Sequence, residues 1–549
     1  MKRILLIGGY GGFGARLARR LSDKNNHVLV AGRNAPKASA FAATLPNASG
    51  VVVDRNGDIA ASFAAHQPDL VIDAAGPFQA SHFAVPEACI AAGIPYVDLA
   101  DARDFVINFA DLDSDAKAAG AALVTGASSV PALSGAVIRA LMDGMDKAET
   151  IDMVISASNK ASAGESVSRA ALSYAGKDVW IWRGQRWQTR AGWGELQPVR
   201  FEAPDGTMLK GRWIALADIP DHALLPDRVA GRPAITFRAG TELCFQMTGL
   251  WLMSFAVRWK MLHSLEVLAP ILIPFIRATK DWGGDRSAMH VILKGWRCDA
   301  SVERRWTLIA EEGDGPEIPT LAAELIARKL LAGTIEPGAR DAGTLLSLDE
   351  FQPLFDKLHL HHGISEKPLL APVYARAVGG RFAALPPAVR AMHSIIGDGG
   401  AEGEGTVERP KNLLAKIIGA IVRFPPAGHY PLHVHFAEAK GQEKWTRNFG
   451  GHLFSSVLSQ DGPDGSGHVA ERFGPMRFVF ALPNDESGLQ MKLQRWTFLG
   501  IPMPRALAPR TEASEWQDDQ GRFRFDVKIR FPLIGQIVHY TGWLRKEPQ

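Results

Sequence analysis

Apolar residues change their spacing along this chain. As far as residue 130 they form short unbroken runs: Ile4–Ile7, His27–Ala31, Val51–Asp54, Leu70–Ala74, Tyr96–Leu99 and Ala122–Thr125. Between them Ala15–Leu21, Ala35–Leu45, Ala60–His66 and Phe83–Ala92 carry a helical period. Strands that are apolar throughout are buried on both faces. The alternation therefore predicts a parallel, doubly wound α/β sheet with helices on both sides and right-handed crossovers.

From 131 to 365 the pattern is mixed. Val130–Met142 reads as a linking helix, Thr150–Ser156, His290–Leu293 and Trp306–Ala310 as strands, and Val179–Trp187 as a hairpin. Gly164–Ser168 precedes a helix expected at Arg169–Tyr174, with Ser166 and Ser168 read as its caps ahead of the alternative, substrate donors pointing into the cleft. Ile318–Leu331 is amphipathic and is expected to pack back onto the first sheet, the chain returning there around 318–350. Gly249–Val257 and Leu262–Ile276 are strongly apolar, but Arg258, Lys260, Glu266, Pro270 and Pro274 interrupt them. Neither reaches the roughly 18 clean apolar residues of a membrane span. Two readings stay open: a buried helix pair, or an arm whose residues 249–276 touch a membrane surface or line a lipid-sized pocket.

Residues 365–370 read as a linker, and Gly397–Gly405 as a glycine-rich acidic stretch. Beyond it short strands recur, among them Gly405–Glu408, His433–Glu438, Lys444–Phe449, Leu489–Phe498 and Phe523–Ile529. Turns such as Gly462-Pro463 and Asp518–Gly521 divide them. This predicts a β-rich domain over 370–549, a curved antiparallel sheet or barrel, with helices Pro387–Ile396 and Asn412–Val422 covering a face or an open end. Such a sheet around an apolar cavity is expected to suit a small lipophilic ligand.

The sharpest chemistry follows the first strand. Gly9, Gly11 and Gly14 fit G-x-G-x-x-G between a strand and a helix. The first glycine permits a tight turn, the second lets a pyrophosphate approach the backbone, and the third brings helix and strand together. Gly9, Tyr10, Gly11, Gly12, Phe13 and Gly14 are thus candidate cofactor contacts, with open N–H groups facing the phosphates. The second strand ends in Gly32-Arg33-Asn34 with no carboxylate. Arg33 suits a 2′-phosphate, so NADP(H) is expected over NAD(H), with Arg33 and Asn34 at that end. Ligands bind outside the C-terminal strand ends of such sheets. That rule adds Asp54 and Ala75-Gly76-Pro77 as cofactor contacts and Asp98 and Asp101 as catalytic candidates; turn carboxylates are common at these ends as well.

Bulk properties narrow the picture. A chain of 549 residues implies several domains, and 46% hydrophobic with 22% charged residues is ordinary for a globular protein. A net charge of +3 gives no argument for a nucleic-acid partner. Cys89, Cys244 and Cys298 are scattered, which suits a reducing cytoplasm, and Ile4–Ile7 is too short for a secretion signal. No metal is expected. His359, His361 and His362 read as a solvated turn, and His433 and His435 as a same-face pair lining a pocket or facing solvent.

Gly9–Gly14, Ala31-Gly32-Arg33, Ala75-Gly76-Pro77-Phe78, Tyr96–Leu99 and the Gly126…Pro131 turn together resemble the saccharopine dehydrogenase-like and trans-acting enoyl reductase proteins, over about residues 1–350. The resemblance implies a Rossmann domain at 1–130, then a substrate domain with a mixed sheet at 131–365. Trp445, Arg447, Phe449, Gly450, Phe454, Trp496, Tyr540 and Gly542 resemble an uncharacterised domain found behind such reductases in bacterial proteins, over about 370–547. The expectation is an NADP(H)-dependent oxidoreductase of a small, lipid-like carbonyl or enoyl substrate, cytoplasmic, with peripheral membrane contact through 249–276. The alternatives are a non-catalytic NADP(H)-binding protein and a lipid-handling protein. Substrate and oligomeric state are not legible.

Overall fold

The early apolar runs become β1 (Lys2–Ile7), β2 (Asn26–Gly32), β3 (Ala48–Val52), β4 (Leu70–Asp73), β5 (Tyr96–Asp98) and β6 (Ala122–Thr125). A later strand, β15 (Gly338–Asp341), joins them in a parallel sheet of order β15-β6-β5-β4-β1-β2-β3. The structure, a computed structural model, describes every residue except 80, 161–164, 411, 422, 533 and 547–549. Helix Ile318–Leu331 lies against this sheet, with Leu321, Ala322, Ala323, Ile326 and Ala327 fully buried. Glu317, at its start, pairs with Arg16 and Arg20 of the first helix, Gly12–Leu21. The strand expected at Val51–Asp54 runs instead over Ala48–Val52: β3 pairs with β2 as far as Gly32↔Val52, and Asp54 lies beyond the ladder. The helix expected to reach Leu45 ends at Ala42.

The second sheet comprises β7 (Lys147–Ala157), β10 (Gln197–Glu202), β11 (Met208–Leu216), β12 (Ala234–Thr241), β13 (Ser287–Arg297), β14 (Ala300–Ala310) and β16 (Leu360–Pro368). Its order is β10-β11-β12-β7-β13-β14-β16, and only β12–β7 pairs parallel, so the sheet is mixed. Hairpin β8 (Asp178–Arg183) and β9 (Arg186–Ala191) stands apart. The stretch expected as a linker at 365–370 is partly strand, because β16 pairs with β14 as far as Pro368. The histidines expected in a solvated turn lie on and just before β16. His359 pairs with Asp314 at 3.0 Å, His361 pairs with Asp205 at 2.6 Å, and His362 packs on Phe355. The helix expected from Arg169 begins at Glu165, so Ser168 falls inside it and cannot cap it. Gly164 and the side chain of Ser166 lie outside the described residues.

Residues 244–282 form an arm of two helices, Cys244–Arg258 and Ala269–Ala278. One face packs inward through Met247, Val257, Leu265, Ala269 and Ile273. The other exposes Leu252, Trp259, Ile271, Phe275 and Trp282. A wholly buried pair is therefore excluded. Among the described residues, no helix is long and apolar enough to cross a membrane.

The C-terminal strands are β17 (Asp398–Glu408), β18 (Gly428–Ala439), β19 (Gln442–Phe449), β20 (His452–Gln460), β21 (His468–Phe473), β22 (Met476–Ala481), β24 (Gly488–Phe498), β26 (Arg510–Gln517), β27 (Phe523–Phe531) and β28 (Gly535–Arg545). The short strands β23 (Asn484–Asp485) and β25 (Ile501–Pro502) pair antiparallel with the two ends of β24. Each long strand pairs antiparallel with the next; β22–β24 and β17–β28 close the ring. The expected barrel is present, and the glycine-rich Gly397–Gly405 is largely its first strand. Glycine there serves close approach: a Cβ at Gly400 would stand 2.0 Å from the Gly184 carbonyl oxygen, and one at Gly403 2.0 Å from that of Trp543.

Side chains tie the barrel to the second sheet. The buried Glu149 carboxylate on β7 accepts from Trp296 Nε1 (2.8 Å) and from the N–H groups of Ile396 and Gly397 (both 3.0 Å). Gly184, in the β8–β9 turn, donates to Asp398 Oδ1 at 2.6 Å, and its carbonyl accepts from His433 Nε2 at 2.7 Å. His435 Nε2 bonds Asp398 Oδ2 at 2.6 Å. His433 and His435 do share a face, but that face holds a hairpin rather than a pocket or water.

Candidate functional site: the dinucleotide cradle

The chain leaves β1 through Gly8, whose φ of +75° is the left-handed turn that glycine adopts freely. Gly9 N–H donates to the Ala31 carbonyl (3.1 Å) and Gly11 N–H to that of Gly8 (2.8 Å). A Cβ at Gly14 would stand 2.2 Å from Gly8 O, so only glycine seats the helix this close. At Gly11 an added Cβ would meet only Gly8 O, at 3.0 Å, which leaves the outer side open. No side chain caps the start of the Gly12–Leu21 helix. Its first N–H groups therefore face outward with the positive end of the helix dipole.

Tyr10 bridges this turn to the end of β2. Its ring covers Gly32, where a Cβ would come within 2.4 Å, and its hydroxyl accepts from Asn34 N–H at 3.1 Å. Asn34 accepts from Lys37 N–H at 2.9 Å and so caps the next helix. Arg33 stands exposed between them. The cradle thus fits a dinucleotide phosphate: open N–H groups, a helix start and no side chain in the way. Asp54 is exposed past the end of β3, where it accepts from Asn56 N–H.

The strand ends carry one group that the sequence reading missed. Asp73 at the end of β4 is fully buried. It takes Arg55 Nη2 at 2.8 Å and Nε at 3.2 Å on one oxygen, and Ala75 N–H at 2.9 Å on the other. Arg55 continues to Ser81 Oγ at 2.7 Å and lies over the Phe78 ring. It thereby pins the Ala75–Phe78 loop against the sheet. Burial pushes the Asp73 carboxyl above its ordinary range, and the guanidinium opposes that shift. A charged residue just past an apolar strand, with an aspartate ending a later strand, is the available signal.

Asp98 is enclosed completely. Its Oδ1 accepts from Ala100 N–H (2.9 Å), Thr125 Oγ1 (2.9 Å) and Gly126 N–H (2.8 Å), which ties the end of β5 to the end of β6. Burial raises it to about 7 despite those bonds. Asp101 is half-buried, with Gln79 Nε2 at 3.4 Å, and burial raises its carboxyl too. Tyr174, beside the arm, stacks on Trp193 at 5.9 Å between ring centres. Burial and the charges of Asp101 and Asp218 push its hydroxyl up. Asp218 lies 3.5 Å from Arg103, which also donates to the Trp180 carbonyl (2.7 Å). The second domain therefore meets the first at the mouth of β5.

Residues 4–130 match the saccharopine dehydrogenase NADP binding domain, and residues 385–544 match the domain of unknown function DUF4166. The chain thus carries a pyridine-nucleotide-binding domain of the saccharopine dehydrogenase type, followed by a DUF4166 domain. Among solved structures it resembles apo saccharopine dehydrogenase (L-Glu forming) from Saccharomyces cerevisiae, at 13% identity and TM-score 0.49, over 67% of this chain and 100% of that one. It also resembles an amine dehydrogenase from Mycobacterium smegmatis, at 13% identity and TM-score 0.35, over 63% and 95%. No curated protein matches the chain.

Proposed function

We propose that this chain is an NADP(H)-dependent oxidoreductase acting on a lipophilic carbonyl or enoyl compound. The open N–H groups of the uncapped first helix, with Arg33 beside them, carry the reading. These N–H groups bind the pyrophosphate, and Arg33 grips the 2′-phosphate. Arg55 and Asp73 hold the Ala75–Phe78 loop as a backing wall. The nicotinamide, when bound, supplies or accepts a hydride. Asp101, half-buried at the mouth of β5, orients the substrate or relays a proton; Asp98 keeps the strand ends in place. The domain over 131–365 closes over the substrate and excludes water.

The arm supports the lipophilic substrate class. Its exposed Leu252, Trp259, Ile271, Phe275 and Trp282 stand beside the exposed cations Arg258, Lys260 and Lys280. Apolar and aromatic side chains flanked by cations suit the surface of an anionic bilayer. The test is a fluorescence titration with NADPH and NADH in the wild type and Arg33→Ala. The expected result is NADPH binding that weakens about 10- to 100-fold in the variant, with NADH unchanged, as loss of charge-assisted hydrogen bonds implies. Equal weakening of both nucleotides would remove Arg33 as the phosphate selector. Binding of neither would remove the proposal.

A further inference from the structure

The ten long C-terminal strands close on one another without an edge. A closed antiparallel barrel of this kind can hold one small ligand in its interior. The interior contains a cavity of about 870 Å³, counting its open mouth. Phe473, Met476, Phe478, Phe480, Met491 and Ile529 supply much of the apolar wall. This cavity is separate from the cradle, so a ligand in it requires no bound nucleotide.

The same cavity has a polar cluster built of Arg447, Glu471, Glu515, Tyr374 and Tyr540. Arg447 donates to Ser456 Oγ at 3.0 Å, lies 3.6 Å from Glu471, and stands over the Trp445 and Phe454 rings. Glu515 bonds His393 Nε2 at 2.6 Å, and the His393 ring stacks on Tyr374 at 3.7 Å. Packing on both sides thus holds the cluster rigidly. Its polar groups are already partnered, Glu515 by His393 and Arg447 by Glu471, and burial pushes the Glu471 carboxyl up. An added carboxylate would lose its hydration with no free cation among the described residues of this cluster to receive it, whereas a neutral oxygen takes a hydrogen bond without that cost.

We propose that the barrel binds one neutral lipophilic molecule with an oxygen head, such as a long-chain alcohol or ketone. The head lies by Arg447, Glu471 and Tyr374, and the tail lies among the aromatic side chains and methionines.

The test uses the full chain and aminoanthracene, a dye that fluoresces in apolar sites, displaced by dodecanol, dodecanone or dodecanoate. The expected result is displacement by the alcohol and the ketone at concentrations at least about tenfold below those for the carboxylate, a difference of about 1.4 kcal/mol. Val527→Trp places a large ring at a position lining the cavity and should abolish dye binding. Ile529→Trp is the second filling variant, and thermal melts by circular dichroism establish which variant is folded. Glu471→Gln removes the carboxyl partner of Arg447 and should strengthen dodecanoate selectively. Absence of dye binding in the wild type would overturn the proposal, as would equal displacement by all three compounds. So would dye binding that persists in a folded filling variant, since that signal would come from the exposed arm.

Discussion

At the scale of single residues, Arg55 and Asp73 give the clearest prediction. Asp73 is fully enclosed, and Arg55 is the cation paired with it. Arg55→Ala leaves a buried carboxylate with the Ala75 N–H, at an expected cost of about 3–5 kcal/mol near neutral pH. Protonating Asp73 removes the unpaired charge, so the difference in melting temperature from wild type should narrow as pH falls. A constant difference would mean that Arg55 acts through packing on Phe78 instead. Asp221 is a second buried acid, held by Ser134 Oγ at 2.6 Å and raised from 3.8 to about 7, chiefly by burial. Between those values the native state keeps a proton that the unfolded chain releases, so this residue's contribution to stability falls as pH rises from about 4 to about 7. Asp221→Asn should remove that slope, read as the wild-type minus variant melting temperature across the window; an unchanged difference would refute the shift. The cradle was legible because Gly8, with its positive φ, and Gly14, where a Cβ would meet Gly8 O, have backbone roles that other residues fill poorly. Arg55 was not, because its partner is 18 positions away and on another strand. Asp98 and Asn34 show a further limit: a polar residue at a strand end looks the same in sequence whether it faces a ligand or bonds its own loops.

At the scale of elements, the arm separates two substitutions that sequence treats alike. Leu252 is 57% exposed and Ile271 is 70% exposed, while Ile273 is 6% exposed and packs with Leu265 and Ala269. Leu252→Glu and Ile271→Glu should abolish sedimentation with anionic liposomes and shift the melting temperature little. Ile273→Glu should unfold the arm, because a buried charge is left without a partner. Liposome binding unaffected by Leu252→Glu and Ile271→Glu together would exclude the arm as the contact. Helices apolar on most sides hide which side faces inward, and this is why Ile273 could not be told from Ile271 in the sequence. The strands were easier to read: β6 matches its apolar run, Ala122–Thr125, residue for residue. Gly397–Gly405 was opaque for the opposite reason. Its glycines answer to the carbonyls of Gly184 and Trp543, which are distant in sequence.

At the scale of the whole molecule, the question is whether the barrel unfolds with the rest. Glu149 lies on the second sheet, and its carboxylate satisfies two backbone N–H groups, at Ile396 and Gly397, just ahead of the first barrel strand. The Gly184 turn adds a second tie through Asp398, His433 and His435. Both contacts are buried or half-buried, and both bond backbone groups that would otherwise lack partners. Glu149→Ala leaves the two N–H groups and the Trp296 indole N–H without this acceptor, at about 1–3 kcal/mol for each group that stays buried. The barrel core is built from its own cluster of side chains, so it can persist when the tie is lost. Calorimetry of the wild type should therefore give one cooperative transition, and Glu149→Ala should give two, with limited proteolysis cutting first between the second sheet and the barrel. Two transitions already present in the wild type would mean that these bonds do not couple the units. A single transition in the variant, lowered as a whole, would mean that the Gly184 tie alone is enough.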